Sequence, residues 1–448
     1  MADKGMTLAI VLLVAGLIVG GGIGYFAAPT KTVSTSTTVT QTVTTLPLKG
    51  QTIKLGDIEA STTSLETQKP HMEQIAFPDI NKQMAALGWG APTFQVLMED
   101  ATGQDNVHLE KVQGFLSQGV TVFKGGGWSS QAQASLSYCN SNHMLQWSYS
   151  STSPTLSIAN DYLYRMCPAD SALAPALVDM MWSYGIKSVI IFQRGDSWGD
   201  GIVNLCKPAW TAKGGDFAGD TVRYATEVTD FSNYLQQANT AATAAIAKNG
   251  GDPERVGTLL LSFDEFPVIA SQAKDYTDFY KCPAFGGDGT AVSTRGMDDA
   301  PDQINHMRVF SMMAQSPESS LFNNLKARFE SLTKQQYTAY SAYAYDIEFV
   351  EANSIIQAQS NAGQDVVGLQ MGICSQTYGA GGWEQLNEYG DRAPPPFNVW
   401  FYAPGVDSTG AAKASVSYVG GVYNPDTKVM TWDTGVLMAN LKYVPKGP

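Results

Sequence analysis

The side chains able to do chemistry in this 448-residue chain gather in short polar segments: EASTTSLETQ, EDATGQDN, GGGWSSQAQ, SYSSTSPTL, QRGDSWGDG, SFDEFP and GGDGTAV. Hydroxyls, carboxylates, glycines and aromatic rings in such loops suit capture of a small polar solute. The familiar catalytic spacings are missing: there is no GxSxG elbow, phosphate-binding GxxxxGK[ST] loop, HExxH pair or zinc-finger spacing. GGDG at residues 286–289 lacks the GxGxxG spacing of a dinucleotide site. The four histidines, His71, His108, His143 and His306, are scattered with no acid or cysteine pattern beside them, and read as packed or surface residues. No cofactor or metal is implied, although missing motifs do not exclude catalysis, since carboxylate pairs carry no spacing signature.

The segments recur because short β-branched runs alternate with longer helical stretches from Thr52 onward. TIKLGDI precedes a predicted helix at 72–87, FQVLMED one at 106–117, and VTVFKGG one at 131–140. MLQWSY and YLYRM follow, then a helix at 172–184, SVIIFQ, a helix near 201–213, a strand near Tyr224 and an alanine-rich helix at 231–248. GTLLLSF, a helix at 267–280 and PAFGGDG complete the series. Runs such as SVIIF and TLLL are apolar on both faces, the mark of parallel strands covered by helices on each side. Too many strands precede Gly289 for one ordinary open sheet, so the predicted fold class is α/β with two doubly wound lobes. In such sheets ligands bind beyond the carboxyl ends of the strands, where these loops lie.

With 28 basic and 41 acidic residues the formal charge is −13, which repels nucleic acid over most of the surface, while 44% hydrophobic content can fill a sizeable core. Residues 6–28, MTLAIVLLVAGLIVGGGIGYFAA, carry no charge and span roughly 30 Å as a helix, enough to cross a bilayer. The segment reads as an export device: a retained transmembrane helix, or a cleaved signal given the glycines at 20–24 and the small residues Ala27 and Ala28. No cysteine precedes Cys139, which excludes a lipoprotein anchor, and KGMT at residues 4–7 resembles the processing site of archaeal class III signal peptides. Eleven of the 17 residues from Thr30 to Leu46 are Thr or Ser, a composition that buries no face. Residues 30–50 are therefore read as a surface stalk reaching about 65 Å when extended. Five separated cysteines allow one or two disulfides with at least one thiol left over, and buried free thiols are expected for most.

Read in order, the loops resemble the type I periplasmic binding proteins, specifically the branched-chain amino acid (leucine/isoleucine/valine) binding family of ABC transporters. The resemblance runs roughly from Thr52 to Trp432 and rests on YLYRMCPADSALAPALVDMMWSYGIKSVIIFQRGDSWGDG, TDFSNYL, AFGGDGTAV, YSAYAYD and VGGVYNPDTKVMTW. It implies two α/β lobes joined by three hinge crossovers, near 166–168, 310–314 and 398–402, with lobe one at 51–166 and 315–398 and lobe two at 167–314 and 399–448. It also implies a ligand clamp. Ser129 and Ser130, with Ser150, Ser151 and Thr152, would hold a carboxylate from lobe one, where Ser129 at a helix start also caps. Asp288 would take the ammonium from lobe two, and Trp198 would stand where an aromatic residue covers the ligand. Asp264 or Glu265 replaces a tyrosine of the branched-chain binders, which favours a ligand with extra positive charge or amide N–H groups.

The resemblance implies an extracytoplasmic solute-binding protein and not an enzyme, anchored at the cell membrane through its N-terminal helix and capturing an amino acid or similar small polar solute for the permease of an ABC importer. Two alternatives stand beside it: a urea or short-amide binder of the same fold, and a structural surface subunit assembled through the N-terminal helix.

Overall fold

The computed structural model describes residues 46–407 and 410–447. The predicted apolar helix at 6–28 and the Thr/Ser segment at 30–45 lie outside the described residues. Among the described residues no helix is long and apolar enough to cross a membrane. Residues 46–50 form a turn that buries Leu48 in the core, so the end of the segment read as stalk belongs to the folded body.

Five parallel strands make the first sheet: β1 (Thr52–Glu59), β2 (Thr93–Asp100), β3 (Val122–Lys124), β4 (Leu145–Ser148) and β5 (Leu163–Arg165), in the order β2-β1-β3-β4-β5. The second sheet holds nine strands. β6 (Ser188–Arg194), β7 (Asp216–Phe217), β8 (Val222–Tyr224), β9 (Val256–Leu261), β10 (Ala284–Gly286) and β11 (Phe310–Ala314) run parallel. A two-stranded ribbon, β12 (Tyr378–Gly379) and β13 (Gly382–Trp383), stands apart. β14 (Phe397–Val406), β15 (Ala412–Asn424) and β16 (Val429–Trp432) then extend the second sheet antiparallel beyond β11. The α/β two-lobed architecture read from the alternating pattern is the one found. Every residue of β6 and β9 is buried, as double helical cover requires.

The chain leaves the first sheet after β5 and enters the second through the helix Asp170–Tyr184. It returns after β11, when the helices Ser320–Thr333 and Ala339–Ala358 pack against the Thr62–His71 helix and β3. It crosses a third time to β14, whose Asn398 to Phe401 pair with β11 residues Met313 to Phe310.

Several helix bounds differ from the predicted ones for physical reasons. The first helix starts at Thr62, ten residues before the predicted 72, on a reciprocal Ser61–Ser64 cap, and continues past Pro70 because a wide turn at Met72–Ala76 absorbs the break. The predicted helix 267–280 divides into Phe266–Ala273 and Thr277–Lys281. All five cysteines are buried and unpaired.

Candidate functional site

Each parallel sheet has one place where strand order reverses, between β1 and β3 in the first and between β6 and β9 in the second. Loops on the two sides of such a point diverge and leave a crevice at the strand ends. The two crevices face each other. From the first come residues 125–128 after β3; from the second come Arg194 at the end of β6 and Phe263 and Asp264 after β9, with Asp288 after the neighbouring β10.

Between them lies a cavity of about 160 Å³. The first lobe lines it with Gly127, Trp128, Ser150 and Tyr340, the second with Trp198, Phe263, Asp264, Asp288 and Gly289. Four are aromatic, two are acids, and none is basic. Trp128 stacks on Phe263 across the lobes, with ring centroids 5.1 Å apart and planes 24° from parallel, and Phe263 meets Trp198 at 4.4 Å. The Arg194 guanidinium lies 4.9 Å from the Trp128 ring and 4.3 Å from that of Phe263. Cation and aromatic faces of this kind attract through the ring quadrupole. Hydrogen bonds also join the lobes: the Tyr340 hydroxyl donates to Asp288 Oδ2, and the Ser153 hydroxyl donates to the Ser197 carbonyl (2.9 Å).

Asp288 is 9% exposed and its Oδ1 accepts from the Gly289 N–H at 3.0 Å. Burial pushes its carboxyl up to about 6, with the Tyr340 hydroxyl and backbone N–H groups pulling the other way. Asp170, at the start of the helix Asp170–Tyr184, is fully buried nearby. Burial and then the Asp288 charge raise it well above the usual carboxylate range. Burial also raises Asp264, which the Ser61 hydroxyl of the first lobe partly offsets.

The predicted clamp residues fare differently. Asp264, Asp288, Trp198 and Ser150 line the cavity together. The Ser150 hydroxyl donates to the Gly127 carbonyl (2.7 Å). Ser129 is buried at the first turn of the helix Ser129–Asn142, and its hydroxyl accepts the Ser153 N–H (3.1 Å), bracing two loops of its own lobe. Ser151 donates to the Gly126 carbonyl, at a turn where φ is +68° and an added Cβ would lie 2.8 Å from Ala132. Thr152 is buried, with its carbonyl accepting the Asp170 N–H (2.8 Å). Ser130 donates to Asp105 (2.7 Å) beside a separate groove of about 560 Å³. Glu265 lies outside the cavity, accepting from Arg194 Nη1 and the Tyr224 hydroxyl, each at 2.7 Å.

Loop 150–157 is anchored from below by Arg165. Its guanidinium pairs with Asp391 (2.6 Å) and donates to the carbonyls of Ser151 and Ser153 (2.8 Å each) and to the Ser157 hydroxyl (2.9 Å). Trp128, Phe263, Tyr340 and Arg194 were not singled out from sequence, although all four stand inside the quoted segments. Beneath the first sheet, Lys124 is wholly buried with Asp57 at 2.8 Å, Glu59 at 3.1 Å and Glu348 at 3.9 Å, and Tyr149 donates to Glu59 (2.7 Å). Among the described residues no group of side chains is arranged to hold a metal ion.

A family model described as "Periplasmic binding protein" matches residues 52–347. An uncharacterized protein of Methanocaldococcus jannaschii is 27% identical over 410 residues, which covers 86% of this chain and 93% of that one. Among solved structures, the leucine binding protein LivK of Thermotoga maritima superposes with a TM-score of 0.64 at 17% identity, over 84% of this chain and 99% of its own. The branched-chain amino acid transporter substrate binding protein LivJ of Streptococcus pneumoniae, solved with isoleucine, gives 0.61 at 16% identity over 82% and 100%. A solute binding protein of an ABC transporter from R. palustris, solved with benzoate, gives 0.62 at 13% identity over 82% and 98%. With that family model covering well over half of its length, this chain belongs to the periplasmic binding protein family.

Proposed function

We propose that this protein is the extracytoplasmic solute-binding component of an ABC importer, capturing a small solute with an amino or similar polar group between its lobes and presenting it to a membrane permease. The observation that carries the reading is the cavity of about 160 Å³ lined from both lobes and floored by the buried Asp288. A site divided between two bodies is completed only when they close, so the solute itself stabilises the form that a permease can recognise. Binding at micromolar level requires about 8 kcal/mol, within reach of one charge-assisted contact and an aromatic wall.

The lobes divide at 51–166 with 315–398, and 167–314 with 399–448; sheet membership supports this division, since β1 to β5 form one sheet and β6 to β11 with β14 to β16 the other. Residues 6–28 hold the protein at the membrane and residues 30–45 space it from the surface, a reading supported by their uncharged and Thr/Ser-rich sequences. A urea-like or amide ligand would leave the Asp288 charge unanswered. Mass spectrometry of small molecules released from natively purified protein, followed by calorimetry with the compound found, tests the reading. Absence of any saturable small-solute binding by folded protein overturns it.

A further inference from the structure

The lining of the interlobe cavity is chemically one-sided. Asp264 and Asp288 both face it, Asp170 lies buried behind Asp288, and no basic side chain is in the lining. The nearest cations are already engaged. Arg194 pairs with Asp196 (2.5 Å) and Glu265 (2.7 Å), while Arg295 pairs with Asp299 (3.4 Å) and donates to the Asp264 backbone carbonyl (3.3 Å). Among the described residues neither Asp170 nor Asp288 has an ion pair with a basic side chain.

A net-neutral amino acid brings one ammonium and one carboxylate. Its ammonium answers one acid and leaves the other facing the cavity with no cation to neutralise it. Burying a second uncompensated negative charge is costly. The aromatic lining points to the same chemistry. The Arg194 guanidinium already lies against both Trp128 and Phe263, which shows that these rings accept a flat cation. Trp198 and Tyr340 add two further rings around the methylene stem that such a solute carries between its charged groups. A surface of net charge −13 concentrates cations around the cleft before they enter.

We propose that the cleft selects solutes of net positive charge, with an ammonium or guanidinium group answering Asp264, a second amino group answering Asp288, and the aromatic rings enclosing the chain between them. This rests on the solute-binding reading above and narrows it. The shared chemistry, two separated cationic groups on a short stem, belongs equally to cationic amino acids and to short diamines.

Isothermal titration of the full chain at pH 7.5 with L-lysine, L-arginine and putrescine, against L-norleucine, L-leucine, L-glutamate and benzoate, decides the matter. Lysine has the same stem as norleucine plus one charge, so their comparison needs no variant. Lysine or putrescine binding at least 10-fold tighter than norleucine and leucine supports the proposal, and lysine against putrescine tells which of the two sources supplies the cation. Asp264→Asn, folded by its melting curve, should reduce the lysine-to-norleucine ratio about 10-fold or more; an unchanged ratio overturns the pairing of Asp264 with the second charge. Leucine, glutamate or benzoate binding as tightly as the cations overturns the proposal and leaves the solute-binding function standing. Folded protein that binds nothing in the panel overturns the proposal, and the solutes released from natively purified protein then decide the solute-binding function by themselves.

Discussion

The Tyr340 hydroxyl of one lobe donates to the Asp288 carboxylate of the other. The bond supports the ionised form of an acid that burial would otherwise keep protonated. Tyr340→Phe should therefore raise the Asp288 carboxyl beyond about 6. A cationic solute needs the ionised carboxylate, so its affinity in the native protein should increase as pH rises through about 6. In the variant that rise should occur at higher pH. Titrations between pH 5 and 8 measure both midpoints, and identical midpoints would show that the bond is absent in solution.

Asp288→Asn keeps the shape and removes the charge. Loss of a charge-assisted hydrogen bond costs about 1.5–3 kcal/mol, or roughly 10- to 150-fold in affinity. Stability of the empty protein should not fall, because a buried carboxylate without a basic partner is itself unfavourable. Calorimetric binding and melting on the same preparation check the pair of outcomes. A change in affinity below twofold would remove Asp288 from the site.

Seven buried carboxyls, of Asp57, Asp170, Asp288, Asp346, Glu348, Glu351 and Glu384, are raised chiefly by burial, Asp288 and Asp346 to about 6 and Glu348 to about 7. Unfolded, such groups titrate near 3.8 to 4.5, so from there to about 7 the native state holds more protons and stability falls as pH rises. Burial of His71 and His108 acts in the opposite sense: both are lowered to about 3 from 6.5, so acidification through that window favours unfolding. Seven groups outweigh two. The melting temperature should be higher at pH 5 than at pH 8, and a scanning calorimetry series showing the reverse order would refute the balance.

Arg165→Ala should destabilise the protein by about 3–5 kcal/mol, because Asp391 is left buried without its cation. The carbonyls of Ser151 and Ser153 lose their donor at the same time. Replacing both partners, as Arg165→Met with Asp391→Leu, should recover a large part of the loss. Urea midpoints of the single and double variants measure this, and a double variant no more stable than Arg165→Ala would contradict it.

The architecture was legible because strands such as SVIIFQR are apolar on both faces and are separated by helix-length segments. Asp288 was singled out by the resemblance alone, since an acid among glycines at a strand end otherwise reads as a turn residue, and it stands in the cavity lining. The role of Ser129 was not, since its hydroxyl partner, the Ser153 N–H, lies 24 residues away in another loop. Glu265 could not be told from Asp264 by position, because Arg194 and Tyr224, which claim it, arrive from other strands. Trp128, Phe263 and Tyr340 carry no periodic signal. They meet only because two lobes bring separate loops together. The first helix starts ten residues before the predicted 72 because the Ser61–Ser64 cap begins it and a wide turn downstream accommodates Pro70.

The five buried thiols have a consequence for the life of this chain. Burial raises each of them, Cys139 and Cys282 to about 12, so none is a ready nucleophile in the native state. The folded form has no covalent cross-link to gain or lose on passing from a reducing interior to an oxidising exterior. Cys167 stands where the chain first passes from one lobe to the other, its Sγ 3.4 Å from the Ser151 carbonyl. Its rate of alkylation would then serve as a clock for hinge opening, slowing whenever a solute holds the lobes shut.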